Sequence, residues 1–318
     1  MKYFLTMLSL ALYLSMVTTV SAGTLEKNKG YLTAKNVKLG IHTKLVNVKA
    51  GEFVYIGSHK LSELIWETRN AFMLGGDASV TLIPSWGVKL NVSGSKAVHK
   101  GNSVMDDYDW LITGAPWTHW SNHPNTTLEN GLILDANLSV NLYKNRSETV
   151  SLDLLAGYKR DQWKWGASGG TFIYSGLPGF RDISGTFSNI PVISYEQTVS
   201  TPYVGVDFKW NEEWLTLNLK FIGSNYASAK AVDNHWLRTL RVTDTFRKGQ
   251  MYGGDIGFTY HHSDNLTFDL NYSFQSYSEN RGDASYLDTS TGIVTPLPDG
   301  AAMSLGYQTI ELGMNYSF

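Results

Sequence analysis

The stretch YVGVDFKWNEEWLTLNLKF, Tyr203 to Phe221, decides how this chain folds. Val204, Val206, Phe208 and Trp210 alternate with Gly205, Asp207 and Lys209. After a short polar turn, Leu215, Leu217, Leu219 and Phe221 alternate with Thr216, Asn218 and Lys220. A period of two puts the apolar side chains on one face and the polar ones on the other, which makes two-faced strands. The pattern returns in FDLNYSF, Phe268 to Phe274, and in the closing TIELGMNYSF, Thr309 to Phe318. The chain reads as all-β.

Strands of this kind suit a soluble sandwich, where the apolar face is the core, or an outer-membrane barrel, where that face meets lipid. The aromatic residues choose between them. The chain carries 10 Trp, 18 Tyr and 13 Phe, and many stand at strand ends, as Trp210, Trp214, Tyr260, Tyr316 and Phe318 do. That distribution fits girdles at two membrane interfaces. Short turns (KWNEEW, HHSDN) alternate with long polar stretches, Tyr226 to Gly249 and Ser276 to Ala302, read as long outer loops. With only ~9–11 residues needed per span, the length predicts a ten-stranded antiparallel transmembrane barrel with a polar lumen and tall extracellular extensions.

The N-terminus fits that destination. Lys2, an apolar run from Leu5 to Val20, and the small residues Ser21 and Ala22 give residues 1–22 the layout of a secretory signal peptide, leaving 23–318 as one domain. There is no cysteine, so closure of a sheet or a large core must hold the exported chain together. The formal net charge of −2 decides little, but no basic tract suits nucleic acid, and none is expected as a partner.

Two short motifs carry chemistry. In VMDDYDWL, Val104 to Leu111, Asp107 and Asp109 share a strand face at the lumen mouth, close enough to repel and raise one pKa. Asp106 points the other way and reads as solvated. In AVDNHW, Ala231 to Trp236, Asp233 and His235 also share a face. A carboxylate beside an imidazole raises its basicity and fixes its orientation, as a general base acting on water requires. The same four side chains are also possible oxygen and nitrogen ligands for a metal.

MDDYDW, SNHPNT (Ser121 to Thr126), AGY (Ala156 to Tyr158), FIYSGLPGFRD (Phe172 to Asp182), TPYVGV (Thr201 to Val206) and DNHW, in this order, resemble the omptin family over nearly the whole mature chain. The resemblance implies a monomeric endopeptidase in the Gram-negative outer membrane, acting at the cell surface on peptide or protein substrates beside basic residues. Asp107 and Asp109 match the family's aspartate pair, and Asp233 and His235 match its Asp–His pair, facing each other across a water. No metal or other cofactor is implied beyond lipopolysaccharide. Glu52 matches an acid of the specificity pocket, whereas Ala231 stands where many members have aspartate, so one attraction for arginine is missing and weaker discrimination is expected. The segment from Gly40 to Glu52 reads as lengthened, reshaping the first outer loop. Gln162 and Thr198 replace arginines expected to hold lipopolysaccharide phosphates, with Tyr158, Lys159, Arg160 and Lys164 nearby. His123 matches a family histidine and reads as a structural hydrogen-bonding group. The alternative function is an omptin-type barrel acting mainly as an adhesin or invasin.

Overall fold

The computed structural model describes residues 36–318. The segment read as a signal peptide lies outside them. Eleven antiparallel strand segments follow in order: β1 Val37–Ile56, β2 His59–Ile83, β3 Val88–His99, β4 Asn102–Asp109, β5 His119–Lys144, β6 Val150–Tyr174, β7 Ile183–Asn211, β8 Leu215–His235, β9 Leu240–His261, β10 Leu266–Asp288 and β11 Val294–Ser317. Segments β3 and β4 each pair with both β2 and β5, so they are two halves of one strand position and the ring has ten. The break falls at Gly101, whose φ of +64° suits glycine and where a Cβ would lie 2.4 Å from the Arg69 carbonyl oxygen.

The ring closes through β1 and β11, paired from Lys38↔Ser317 to Val54↔Ala301. Every strand therefore has two neighbours, the condition a sheet must meet in lipid. The apolar face turns outward. Val204, Val206, Phe208 and Trp210 of β7, Phe268, Leu270 and Tyr272 of β10, and Ile310, Leu312 and Met314 of β11 are all exposed large side chains. They form a band toward one end of the barrel, and the band is the lipid surface.

The stretches read as long outer loops are mostly strand. Tyr226 to Gly249 forms the ends of β8 and β9, with only Trp236–Thr239 turning between them. Inward-facing Ala227, Ala231, Val242 and Phe246 are buried at alternate positions, so the period-two pattern continues above the membrane. The lengthened Gly40–Glu52 segment likewise lies wholly inside β1, and the first outer connection is the tight turn at Gly57 and Ser58. Strands of 20 to 29 residues replace the expected loops over much of the wall.

The lumen corrects the expectation of a uniformly polar interior. Near the membrane band it holds ion pairs: Lys44 with Glu311 at 2.9 Å, and Lys209 with Asp153 at 2.7 Å and with Asp207 at 3.1 Å. Toward the opposite end it is packed with aromatic rings. Trp66 stacks on Trp165 and Tyr195 at 6.1 and 5.8 Å between centroids, and Trp163 continues the stack, all fully buried. Trp165 Nε1 donates to Thr68 Oγ1 at 2.8 Å. Lys159, near Gln162 in sequence, also points inward, donating to Gln275 Oε1, and so is not among the cations of the outer wall.

Leu270 and Leu312 face lipid directly opposite one another. Replacing Leu270 with arginine is expected to destabilise the barrel by about 2–4 kcal/mol if it lies at the midplane. Urea unfolding in lipid vesicles, read by heat-modifiable gel migration, checks this; an unchanged midpoint would place the band elsewhere.

Candidate active site

The outer rim collects acids on three walls. On β4, Met105 is fully buried, and the period of two carries Asp107 and Asp109 inward above it. Leu64 of β2 lies between Glu52 and Asp107 in one ladder row, pairing with each. On β8, Asp233 and His235 face inward, 1% and 9% exposed. From β4 to β8 is four strand positions one way round and six the other, so the two pairs face each other across the ring. Among the described residues no three His, Asp or Glu side chains converge as metal ligands would.

Local contacts hold each group. His235 Nε2 lies 2.5 Å from Asp233 Oδ2, and the Arg238 guanidinium donates to His235 Nδ1 at 2.7 Å from the turn that follows β8. Ser62 Oγ donates to Asp107 Oδ1 at 3.4 Å. Asp106 faces the opposite side and is held rather than free in solvent: Trp120 Nε1 and Asn122 Nδ2 donate to it at 3.2 and 2.9 Å. His123 is buried, bonded to Ser121 Oγ and to the Gly169 carbonyl, which gives it the structural contacts expected of it. His261 bonds Thr216 at the far end of the barrel.

The electrostatics follow from so many carboxylates in a poorly solvated place. Burial first, then the neighbouring Asp109 charge, push Asp107 up to about 8, and burial raises Asp109. Glu52 is raised well above the ordinary carboxylate range by burial and then by Asp233, Asp244 and Asp107. Asp244, on β9 and 3% exposed, is pushed up to about 7 by burial and then by Asp233.

Asp244 is the residue that sequence reasoning missed. It pairs directly with Ala231, so an acid stands one strand over from the position where an acid is lacking. Its signal was available: Leu240, Val242 and Phe246 form an alternating apolar face in LRVTDTF, and Asp244 interrupts it.

The architecture is an outer-membrane β-barrel, closed by a single chain, with an acidic groove containing one Asp–His contact at the outer rim. The omptin family model matches residues 33–318, and the chain belongs to the omptin family. It is similar to the plasminogen activator of Yersinia pestis, 28% identical with 87% of this chain and 88% of that one covered. It is similar also to the outer membrane protease IcsP of Shigella flexneri, 28% identical with 97% and 98% covered. The crystal structure of the outer membrane protease OmpT from Escherichia coli superposes with a TM-score of 0.85 at 25% identity, covering 90% of this chain and 98% of that one.

The raised carboxylates fix the sign of a pH effect. An acid with an ordinary pKa near 3.8 when unfolded but about 8 or 7 when folded keeps its proton in the native state while the unfolded chain has lost it. Stability is then full below about pH 4 and falls as pH rises toward 8. The isosteric substitution Asp107→Asn should therefore raise the melting temperature more at pH 8 than at pH 5. Equal effects at both pH values would show that Asp107 is ionised throughout.

Proposed function

We propose that the chain is an outer-membrane endopeptidase that hydrolyses peptide bonds beside basic residues, using water activated by His235. The observation that carries this reading is the 2.5 Å contact between His235 and Asp233, set across the rim from Asp107 and Asp109. His235 takes a proton from water as the water oxygen attacks the scissile carbonyl carbon. The imidazolium, stabilised by Asp233, then gives that proton to the leaving amine. Asp107 keeps its proton near neutral pH, so the facing pair has a proton to share. One carboxyl donates to the developing oxyanion while the other accepts from the attacking water.

Arg238 qualifies this picture. Its guanidinium lies 3.3 Å from His235 Nε2 and covers Nδ1, the nitrogen that turns away from Asp233, at 2.7 Å. For His235 to receive a proton there, the guanidinium must swing aside, which its position on an exposed four-residue turn allows. Glu52, buried and acidic beside the Asp107 row, supplies attraction for a basic side chain of the substrate.

Replacing His235 with alanine should abolish cleavage in a barrel that still folds, and Asp107→Ala and Asp109→Ala should each lower kcat by roughly 10²- to 10⁴-fold. Activity lost to EDTA and restored by zinc would favour the metal reading instead. A second role, adhesion or invasion with secondary cleavage, would be supported if the His235→Ala barrel still promoted bacterial attachment to host cells.

Lipopolysaccharide is proposed as the lipid partner. On the outer wall above the apolar band, a groove of about 850 Å³ is lined by Arg160, Lys164, Lys230, Arg241 and Arg247, which can neutralise phosphates although Gln162 bonds Glu196 and Thr198 carries no charge. Refolding with lipopolysaccharide should raise peptidase activity, and Arg160→Ala combined with Lys230→Ala should remove the gain. Full activity in its absence would make the lipid incidental.

A further inference from the structure

We propose that Asp244 is the second acid of the substrate pocket, so that a guanidinium or ammonium side chain binds between Asp244 of β9 and Glu52 of β1. This rests on the peptidase reading above and names the residue that gives it selectivity. The missing carboxylate at position 231 is replaced across one ladder rung.

Backbone register sets the geometry. One row of inward-facing residues runs Gln197, Ala231, Asp244 and Ala284 across β7, β8, β9 and β10. Asp244 thus stands between two alanines, which leave the space beside its carboxylate to another side chain. Gln197 Nε2 reaches Met303 Sδ at 3.1 Å, and Met303 pairs with Glu52. That contact spans the lumen and brings the Asp244 row and the Glu52 row together, beside the ring stack, in which Trp163 pairs with Gln197.

The chemistry of the lining points to the ligand. Glu52 and Asp244 are 4% and 3% exposed, yet Asp244 Oδ1 accepts no hydrogen bond from any protein group and Glu52 has only the Trp66 indole beside it as a donor. Gln197 Oε1 and the Tyr195 hydroxyl, both fully buried, are also without a partner. Buried polar groups are ordinarily satisfied, and carboxylates left so are costly. A chamber rich in unmatched acceptors suits a cation bearing several N–H donors, and a guanidinium carries five. Arg238, on the rim turn after β8, is engaged with His235.

The test compares kcat/KM for two peptides that differ only in arginine or its uncharged isostere citrulline at the cleaved position. The proteins are wild type, Asp244→Asn, and Ala231→Asp combined with Asp244→Asn. The proposal expects the arginine-to-citrulline ratio to fall roughly 10- to 100-fold in Asp244→Asn, the loss expected for one charge-assisted hydrogen bond. The double variant, with the acid moved back to β8, should recover most of it. A wild-type preference for arginine that survives intact in Asp244→Asn would overturn the role of Asp244 while leaving the peptidase reading standing. A wild-type ratio near one would sink the basic specificity itself, and Asp244 with it. Because this carboxylate has no protein partner, Asp244→Asn should show normal heat-modifiable folding. Failure of that variant to fold would reveal a structural role and also overturn the proposal.

Discussion

Closure of the β1 to β11 ladder is the constraint on which everything else depends. In hydrocarbon no water is available to satisfy a free backbone edge, so a sheet crosses a membrane only when its first and last strands meet. Here they meet along nearly their full length, from Lys38 to Val54. Once that register is set, it carries past the lipid band into walls that rise well beyond it. The outer rim is therefore a continuation of the membrane sheet, built on strands and not on loops. Side chains at the rim inherit the rigidity of the ladder, which a catalytic arrangement requires.

The interior shows what that rigidity supports. Near the lipid band, charged side chains inside the barrel are paired, as Lys44 with Glu311 and Lys209 with Asp153 and Asp207. Pairing is the usual condition for charge in a poorly solvated place. Farther out, Trp66, Trp163, Trp165 and Tyr195 fill the lumen and separate that region from the rim. Beside and beyond this apolar floor stand carboxylates with neither an ion pair nor a full set of hydrogen bonds. Glu52, Asp107 and Asp244 would relax by taking up counter-charges if the floor were polar and wet. Held against packed aromatic rings, they remain poorly solvated and protonate more readily than ordinary acids.

Much of this was legible from residues. The period of two in YVGVDFKW and LTLNLKF identified the lipid face correctly, and the inward direction of Asp107, Asp109, Asp233 and His235 followed from the same spacing. The height of the strands was less legible. Polar residues on the outer face of β8 and β9 look like loop when read along the chain, because the apolar inward positions above the membrane include small residues such as Ala227 and Ala231 that signal weakly. The Gly40–Glu52 segment was misread for a related reason: a strand can lengthen without its turn changing. The mixed lumen could not be read at all, since which inward side chains meet depends on how ten strands are staggered.

Asp244 shows where linear reading stops. A pocket acid is recognised in sequence by its distance from a neighbouring motif, and at that distance before Asp233 the chain has alanine. In the folded barrel the relevant neighbourhood is the rung, where residues 231 and 244 are adjacent although 13 positions apart in sequence. Adjacent strands lie about 4.8 Å apart, less than the reach of an arginine side chain, so a carboxylate moved one strand over can meet the same substrate group. In the proposed pocket, the acid would keep its place in space while standing on β9 instead of β8. Counting acids along the chain misses such a neighbour, which only the register of β8 against β9 reveals.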